Sequence, residues 1–237
     1  MSVSFDFGDH VVVVTGAGGA LGSATVEAFL DAGATVCAAD VIGPNDDRYL
    51  LDPDRGGLAT YRADFTDEGA VQATIEEIIG DHGRLDALIS VAGTWQGGDP
   101  VDETSTDTFD LLADVNVRTA FLAAKHALPH LRETEGSMVT VSSKSSLEGG
   151  VGDGPYRASK AAVRLLTESI AVENEGVVRA NTVLPGVIDT PANRDMLPDA
   201  DHGEWVDPAD IAAVIQFLCS EGATPISGGS IPVDHSG

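Results

Sequence analysis

The sequence predicts an α/β fold in which one parallel sheet of seven strands is doubly wound, with helices on both faces. Short apolar runs alternate with longer segments of helical periodicity along the whole chain. The first apolar run ends in a glycine-rich turn that precedes the first helical segment. The 237 residues suit one of the larger α/β domains, so we expect a single domain over 1–237.

Seven apolar runs predict the strands of this sheet. Most are continuous rather than alternating, as expected for strands that helices cover on both faces. In chain order they are 10–18 (HVVVVTGAG), 35–40 (TVCAAD), 58–64 (LATYRAD), 85–93 (LDALISVAG), 137–143 (SMVTVSS), 177–186 (VVRANTVLPG) and 229–234 (GSIPVD).

Five segments with helical periodicity lie between these runs. They are 23–34, 67–83, 107–131, 155–175 and 207–221. The second has Thr66 or Asp67 as its N-cap candidate. We expect the third to end near Pro129, since proline has no N–H to donate. The fourth begins with Pro155, a favoured first residue of a helix.

Two connections depart from the regular alternation of strands and helices. Residues 41–57 are rich in Gly, Pro and Asp and predict a loop in place of a helix. Residues 190–207 form a compact connection with two prolines after the sixth strand. Because segments that follow the carboxyl ends of parallel strands line the ligand crevice, we interpret 190–207 as the substrate-side connection.

The chain is strongly acidic, with 38 acidic residues against 13 lysines and arginines and a formal charge of −25. This balance argues against nucleic-acid and anionic-membrane partners. No run of about 18 apolar residues is present, and no basic leader precedes the first apolar run. We therefore expect a folded cytoplasmic protein.

Cys37 and Cys219 lie in apolar segments without ligand spacing, so no metal site is expected.

A dinucleotide-binding turn is predicted between the first strand and the first helix. Gly16, Gly18, Gly19 and Gly22 permit a tight turn and close approach of a pyrophosphate to the helix N-terminus, although ordinary βα turns also use glycine. Asp40 ends the second strand, where a carboxylate can bind both ribose hydroxyls and repel a 2′-phosphate. The alternative for this side chain is a solvated strand end. The pattern favours NAD(H) over NADP(H) in a Rossmann-type domain.

Tyr156 and Lys160 stand one helical turn apart, on one face of the fourth predicted helix. A fixed ammonium at this position can lower the pKa of the phenol and hold a ligand. The same spacing also arises by chance in amphipathic helices. The pair is therefore a candidate catalytic site that the rest of the chain has to support.

With these residues the chain resembles the short-chain dehydrogenase/reductase family over nearly its whole length. The segment TGAGGALG (15–22) is similar to the family's TGxxxGxG turn, with Ala20 in place of the second motif glycine, and SVAG (90–93) stands where the family has NNAG. The segment LPGVIDT (184–190) matches the family's PGxxxT motif. Besides Ala20, Tyr156 and Lys160, the cofactor contacts that the resemblance implies are Leu21, Asp64, Ala92, Gly93, Pro185, Gly186, Ile188 and Thr190.

The resemblance also implies a catalytic set of Asn116, Ser143, Tyr156 and Lys160. Tyr156 is the implied acid at the carbonyl oxygen, and Lys160 lowers its pKa and binds a cofactor ribose. Ser143 lies thirteen residues before the tyrosine and is implied to hydrogen-bond the substrate oxygen, with Ser142 and Ser145 as alternatives. Asn116 is implied to hold a water in a proton relay.

This set predicts an NAD(H)-dependent oxidoreductase that transfers hydride between nicotinamide and a carbonyl or alcohol, of the small-ketone or 3-oxoacyl thioester type. The segments VAGTWQGG (91–98) and DTPANRDMLPDADHGEW (189–205) also resemble quinonoid dihydropteridine reductases, in which Trp95 would stack on a flat ring. Ser145 and Arg194 are the other substrate candidates. A second alternative is an NAD-binding sensor without turnover, against which the complete catalytic set argues. The family resemblance further implies a homotetramer or homodimer.

The acidic composition predicts a dependence on salt. An acidic shell on a folded domain repels itself, and the Debye length shortens to about 3 Å in 1 M salt. We therefore expect a protein from a salt-rich cytoplasm, as in halophilic organisms, which unfolds at a lower temperature in low salt than in molar potassium chloride. Equal stability and activity in the two buffers would contradict this expectation.

Overall fold

The computed structural model describes residues 5–235, and within them seven strands form one parallel sheet. The spatial order is β3-β2-β1-β4-β5-β6-β7, so the sheet is wound in both directions from β1 and β4. The predicted fold class is confirmed. The strands are β1 Val11–Thr15, β2 Thr35–Asp40, β3 Leu58–Arg62, β4 Ala87–Ser90, β5 Ser137–Val141, β6 Arg179–Pro185 and β7 Ser230–Val233.

Helices cover both faces of this sheet. They are α1 Ala20–Asp31, α2 Glu68–His82, α3 Thr106–Leu112, α4 Thr119–Glu133, α5 Gly154–Glu173, α6 Pro191–Met196 and α7 Pro208–Cys219. A π-helical segment, Ala113–Arg118, joins α3 to α4. Helices α1 and α7 pack together on one face, and α2, α4 and α5 cover the other. The strands contribute buried side chains to a separate apolar core on each face.

Two helix boundaries differ from the sequence prediction, and a third agrees with it. Helix α1 begins at Ala20, directly after the glycine turn, rather than near Ser23. Helix α4 passes through Pro129 and ends at Glu133. Proline at this position removes one backbone hydrogen bond, but Leu131 in the following turn is fully buried against the core and holds the helix in place. Of the two N-cap candidates for α2, Thr66 and Asp67, the structure uses Asp67, whose carboxylate accepts a hydrogen bond from the amide of Ala70 at 2.7 Å.

The two irregular connections have different structures. Residues 41–57 contain no helix or strand, as predicted. The 190–207 connection contains α6 and a short 3₁₀ turn, His202–Glu204, which the sequence prediction lacked. None of the helices within residues 5–235 combines the length and apolar character needed to cross a membrane.

Candidate active site

A cleft of about 1380 Å³ opens at the carboxyl ends of the strands. It lies where the strand order reverses between β1 and β4, the usual ligand position in a doubly wound sheet. Its volume exceeds the roughly 300–1,000 Å³ of ordinary ligand pockets. Asp40 lines one end, and Tyr156 and Lys160 line the other. The cleft is therefore long enough to hold a ligand with two separate binding ends.

The glycine turn forms the floor of this cleft between β1 and α1. Gly16 has φ +66°, a conformation that favours glycine, and a Cβ on it would approach the backbone of Ala92 at 2.8 Å. A Cβ on Gly22 would overlap the carbonyl oxygen of Gly16. Ala20 is the first residue of α1 and lines the cleft with Leu21. The turn therefore keeps side chains away from the N-terminus of α1, where backbone N–H groups point outward.

Asp40 fastens the glycine turn as well as lining the cleft. Its carboxylate accepts hydrogen bonds from the backbone amides of Gly18 at 2.9 Å and Ile42 at 3.2 Å. Gly18 itself does not line the cleft, because the side chains of Ile42 and Tyr49 lie against it. The predicted direct cofactor role of Gly18 is therefore replaced by contact with Asp40.

The 41–57 loop folds over the outside of the glycine turn, a contact that the sequence did not predict. The amide of Leu50 donates to the carbonyl of Gly18 at 3.0 Å. Arg48 lines the cleft and forms an ion pair with Asp46 at 2.7 Å. The sequence predicted no helix in this segment, and that was the available signal. A connection that packs no helix against the sheet can stay close to the turn after it leaves β2.

The third and fourth strands add further predicted residues to the cleft wall. Asp64 lines it after β3, where hydrogen bonds from Thr66 hold the pKa of the carboxyl below its usual range. Ala92 and Gly93 line it after β4. A Cβ on Gly93 would stand 2.9 Å from Lys160 Nζ and 3.0 Å from Asn116 Oδ1. A side chain at this position would therefore require one of these two polar groups to move away from the turn.

Lys160 is buried, with 5% of its surface exposed. Its Nζ donates to the carbonyl oxygen of Val141 at 3.1 Å. Because burial disfavours the charged ammonium, it lowers the pKa of Lys160 to about 8.

Ser142 holds the same turn of α5 by donating from Oγ to the carbonyl of Lys160 at 2.8 Å. Ser142 is thus a structural residue, which removes it as an alternative to Ser143.

Tyr156 lines the cleft on the first turns of α5, one helical turn before Lys160. Burial raises the pKa of its phenol, and a hydrogen bond with Ser143 acts in the opposite direction. The predicted lowering of the Tyr156 pKa is therefore not found in this structure: burial is the larger effect, and the partner that lowers the pKa is the serine. The geometry still brings the phenol and the serine hydroxyl together at one wall.

Ser143 and Ser145 form a pair of hydroxyl groups in the cleft. Their Oγ atoms lie 2.8 Å apart, and the amide of Ser145 donates to Ser143 Oγ at 3.3 Å. Both residues belong to the turn after β5, where Ser143 caps the 3₁₀ segment Lys144–Leu147. The two hydroxyls are positioned to bind the same polar group of a ligand.

Asn116 lies in the π-helical segment and is buried rather than part of the cleft lining. Its Oδ1 accepts from the amide of Thr94 at 2.7 Å, and its Nδ2 donates to Thr94 O at 3.0 Å and Ser159 Oγ at 2.9 Å. Both amide hydrogens are therefore used within the protein. The side chain ties the turn after β4 to α5, and it has no free donor for the predicted relay water.

The connection after β6 closes the cleft on the substrate side. Pro185, Gly186 and Ile188, three of the implied cofactor contacts, line it. Thr190 does not, because its Oγ1 caps α6 by accepting from the amide of Asn193 at 3.1 Å. Asn193 lines the cleft and was missed, since nothing in the sequence predicted α6 or the direction that it faces.

Two of the three substrate candidates reach the cleft. Ser145 lines it beside Ser143, and Trp95 lines it with 43% of its surface exposed. Arg194 does not line it, because its guanidinium forms a two-point ion pair with Asp189, at 2.5 and 2.6 Å. The ion pair with Asp189 thus holds Arg194 outside the cleft.

The chain is similar to known oxidoreductases. Residues 16–235 match the family model described as Enoyl-(Acyl carrier protein) reductase. Meso-2,3-butanediol dehydrogenase of Serratia marcescens is 35% identical over 237 residues, covering 96% of this chain and 94% of the relative. The comparisons do not show the similarity to quinonoid dihydropteridine reductases that the sequence segments suggested.

Solved structures show the same architecture. A short-chain dehydrogenase/reductase of the glucose/ribitol dehydrogenase type from Brucella melitensis superposes with a TM-score of 0.89 at 30% identity, covering 98% of this chain and 97% of the other. A 3-ketoacyl-(acyl-carrier-protein) reductase from Brucella melitensis complexed with NADH gives 0.84 at 26% identity, with coverages of 94% and 96%. ElxO with NADP bound gives 0.88 at 26% identity, with the same coverages.

The family model covers most of the chain, and the butanediol dehydrogenase relative exceeds 30% identity over nearly all of it. The glycine turn, the buried lysine and the tyrosine one turn before it occupy one cleft. The chain belongs to the short-chain dehydrogenase/reductase family of oxidoreductases.

Proposed function

We propose that this protein is an NAD(H)-dependent oxidoreductase that interconverts carbonyl compounds and alcohols, of the small-ketone or 3-oxoacyl thioester type. One observation carries the proposal: Tyr156, Ser143 and Lys160 share one end of a cleft whose other end holds the glycine turn and Asp40. The butanediol dehydrogenase and 3-ketoacyl reductase among the similar proteins support both substrate types.

The described residues fit a nicotinamide dinucleotide. The glycine turn leaves the N-terminus of α1 open to a pyrophosphate, because a Cβ on Gly16 or Gly22 would collide with backbone. Asp40 would hold the ribose near the adenine, Lys160 would hold the ribose near the nicotinamide, and Gly186 and Ile188 would line the nicotinamide end. When bound, the nicotinamide supplies or accepts the hydride.

The side chains at the catalytic end supply proton transfer and orientation. Tyr156 donates its phenolic proton to the substrate oxygen during reduction and takes it back during oxidation. Ser143 hydrogen-bonds the same oxygen, and its hydroxyl favours a lower pKa of the phenol, against the effect of burial. The Lys160 ammonium can stabilise the phenolate while it is charged. Because burial lowers its pKa to about 8, this effect is lost as the pH rises above about 8. These groups stabilise the charge that forms on oxygen in the transition state.

The proposed preference for NAD(H) rests on Asp40. A 2′-phosphate would have to lie beside this carboxylate, which already accepts two backbone hydrogen bonds. The nearest cation in the cleft lining, Arg48, is paired with Asp46. The local charge therefore disfavours an additional phosphate.

Replacing the phenol tests the proposed chemistry. We expect Tyr156→Phe to lower kcat for NADH oxidation about 100-fold or more, because the proton donor is lost. NADH binding should stay within about threefold of wild type. The substrates are a panel of small ketones, an acetoacetyl thioester and quinonoid dihydropterin.

Tyr61→Phe is the matched control, because the Tyr61 hydroxyl contacts Asp81 and His82 away from the cleft. Turnover of the Tyr156→Phe variant at the control's level would refute the assignment. Wild-type turnover of the pterin alone would favour the pterin alternative, and NADH binding with no turnover of any compound would favour a sensor.

Replacing Asp40 tests the proposed cofactor preference. We expect wild type to have a kcat/KM at least about tenfold higher with NADH than with NADPH, and Asp40→Asn to reduce that ratio because the repulsive charge is removed. The control is Asp54→Asn, which removes one exposed charge from the same loop. An unchanged ratio in Asp40→Asn, or a wild-type preference for NADPH, would overturn the proposal.

A further inference from the structure

We infer that the substrates are small, uncharged carbonyl compounds and alcohols, and that anionic substrates, including thioesters on phosphate-bearing carriers, are disfavoured. The inference rests on the proposed function and narrows its substrate class. It follows from how the charged side chains of the cleft are paired.

Four cationic side chains line the cleft among residues 5–235: Arg48, Lys144, Arg157 and Lys160. Lys144 binds both carboxylate oxygens of Asp234, at 2.8 and 2.9 Å. Arg48 is paired with Asp46, as described above. Lysine or arginine that is neutralised in this way attracts an anionic ligand only weakly.

Arg157 follows the catalytic tyrosine and is the most constrained of these cations. Its Nε donates to Asp153 at 2.7 Å, and its Nη1 donates to the carbonyls of Ser145 at 3.3 Å and Glu148 at 3.2 Å. A Cβ on Gly150 would overlap the guanidinium. The side chain is thus held against the loop before α5 and is not free to turn toward a ligand.

Lys160 does not substitute for these cations. It is buried, and its Nζ already donates to the carbonyl of Val141 within the protein. The cleft also contains the carboxylates of Asp40, Asp64, Asp114 and Asp153. Asp153 and Asp114 are paired with Arg157 and Arg118, so an anionic substrate meets paired charges there rather than a free surface cation. A bound dinucleotide would add the negative charge of its own pyrophosphate.

Besides these charged side chains, the substrate end is lined by neutral ones. Ser143, Ser145 and Asn193 offer hydrogen bonds without charge, and the apolar lining consists of Trp95, Leu111, Val187, Ala192, Met196 and Leu197. Such a lining binds an apolar body that carries one or two neutral oxygens.

The test compares neutral and anionic ketones that share the same reacting 3-oxobutanoyl group, reduced by NADH near pH 7. One pair is methyl acetoacetate and acetoacetate; the other is acetoacetyl-N-acetylcysteamine and acetoacetyl-coenzyme A. We expect kcat/KM to be at least about tenfold higher for the neutral member of each pair. Equal or better turnover of the anionic members overturns the inference and leaves the proposed function intact.

Charge-pair variants test the cause. Asp234→Asn frees Lys144 and should raise the anion-to-ester ratio of kcat/KM for the first pair at least about threefold. Asp153→Asn, which frees Arg157, is a second variant with the same expectation. The matched control is Asp189→Asn, since its partner Arg194 does not line the cleft, and it should leave the ratio unchanged. An unchanged ratio in both test variants overturns the inference.

A readout by binding separates the two proposals. If no ketone is turned over, the proposed function fails, and tryptophan fluorescence of the NADH-loaded protein then reports binding through Trp95. Tighter binding of methyl acetoacetate than of acetoacetate supports the charge inference, and the reverse order overturns it.

Discussion

The active-site geometry depends on one buried ammonium group. Removing a lysine from water disfavours its charged form unless hydrogen bonds compensate, and here Lys160 Nζ has the carbonyl of Val141 as its partner at 3.1 Å. Asn116 fixes the turn after β4 beside it, through two hydrogen bonds with the backbone of Thr94. A buried hydroxyl chain of Thr140, Thr167 and Thr182 ties α5 to β5 and β6. These contacts decide where both Lys160 and Tyr156 lie.

The two ends of the cleft use different physics. At the glycine turn, recognition comes from backbone groups and from the absence of side chains, so a single added Cβ would close it. At the catalytic end, recognition comes from hydroxyls and from a pKa shifted by burial. Three of the cationic side chains in the cleft lining are neutralised by ion pairs with neighbouring acids. An acidic surface and a neutral substrate end are thus compatible in one chain.

The sequence was sufficient to predict elements whose signal is local. The seven strands, the glycine turn, Asp40 and the Tyr156–Lys160 spacing depend on neighbours in sequence, and the structure brings these residues to one cleft. Arg194 and Thr190, which the sequence predicted at the ligand, do not line the cleft. They contact Asp189 and the amide of Asn193 instead, and these contacts depend on α6, which the sequence did not predict. The hydrogen bonds of Asn116 to Thr94 could not be predicted, because they depend on a contact between segments that are distant in sequence. The passage of α4 through Pro129 likewise depends on tertiary packing of Leu131.

The protonation of Lys160 tests this account most directly. The chain contains three lysines, Lys125, Lys144 and Lys160, so ¹³Cε resonances of labelled lysine can be followed individually by NMR across the pH range. The resonance that is missing in Lys160→Met identifies the buried group. The account predicts that this resonance titrates with a midpoint of about 8, because burial penalises the ammonium. A midpoint at the ordinary value of 10.5 would show that the lysine is solvated, and would contradict the central claim.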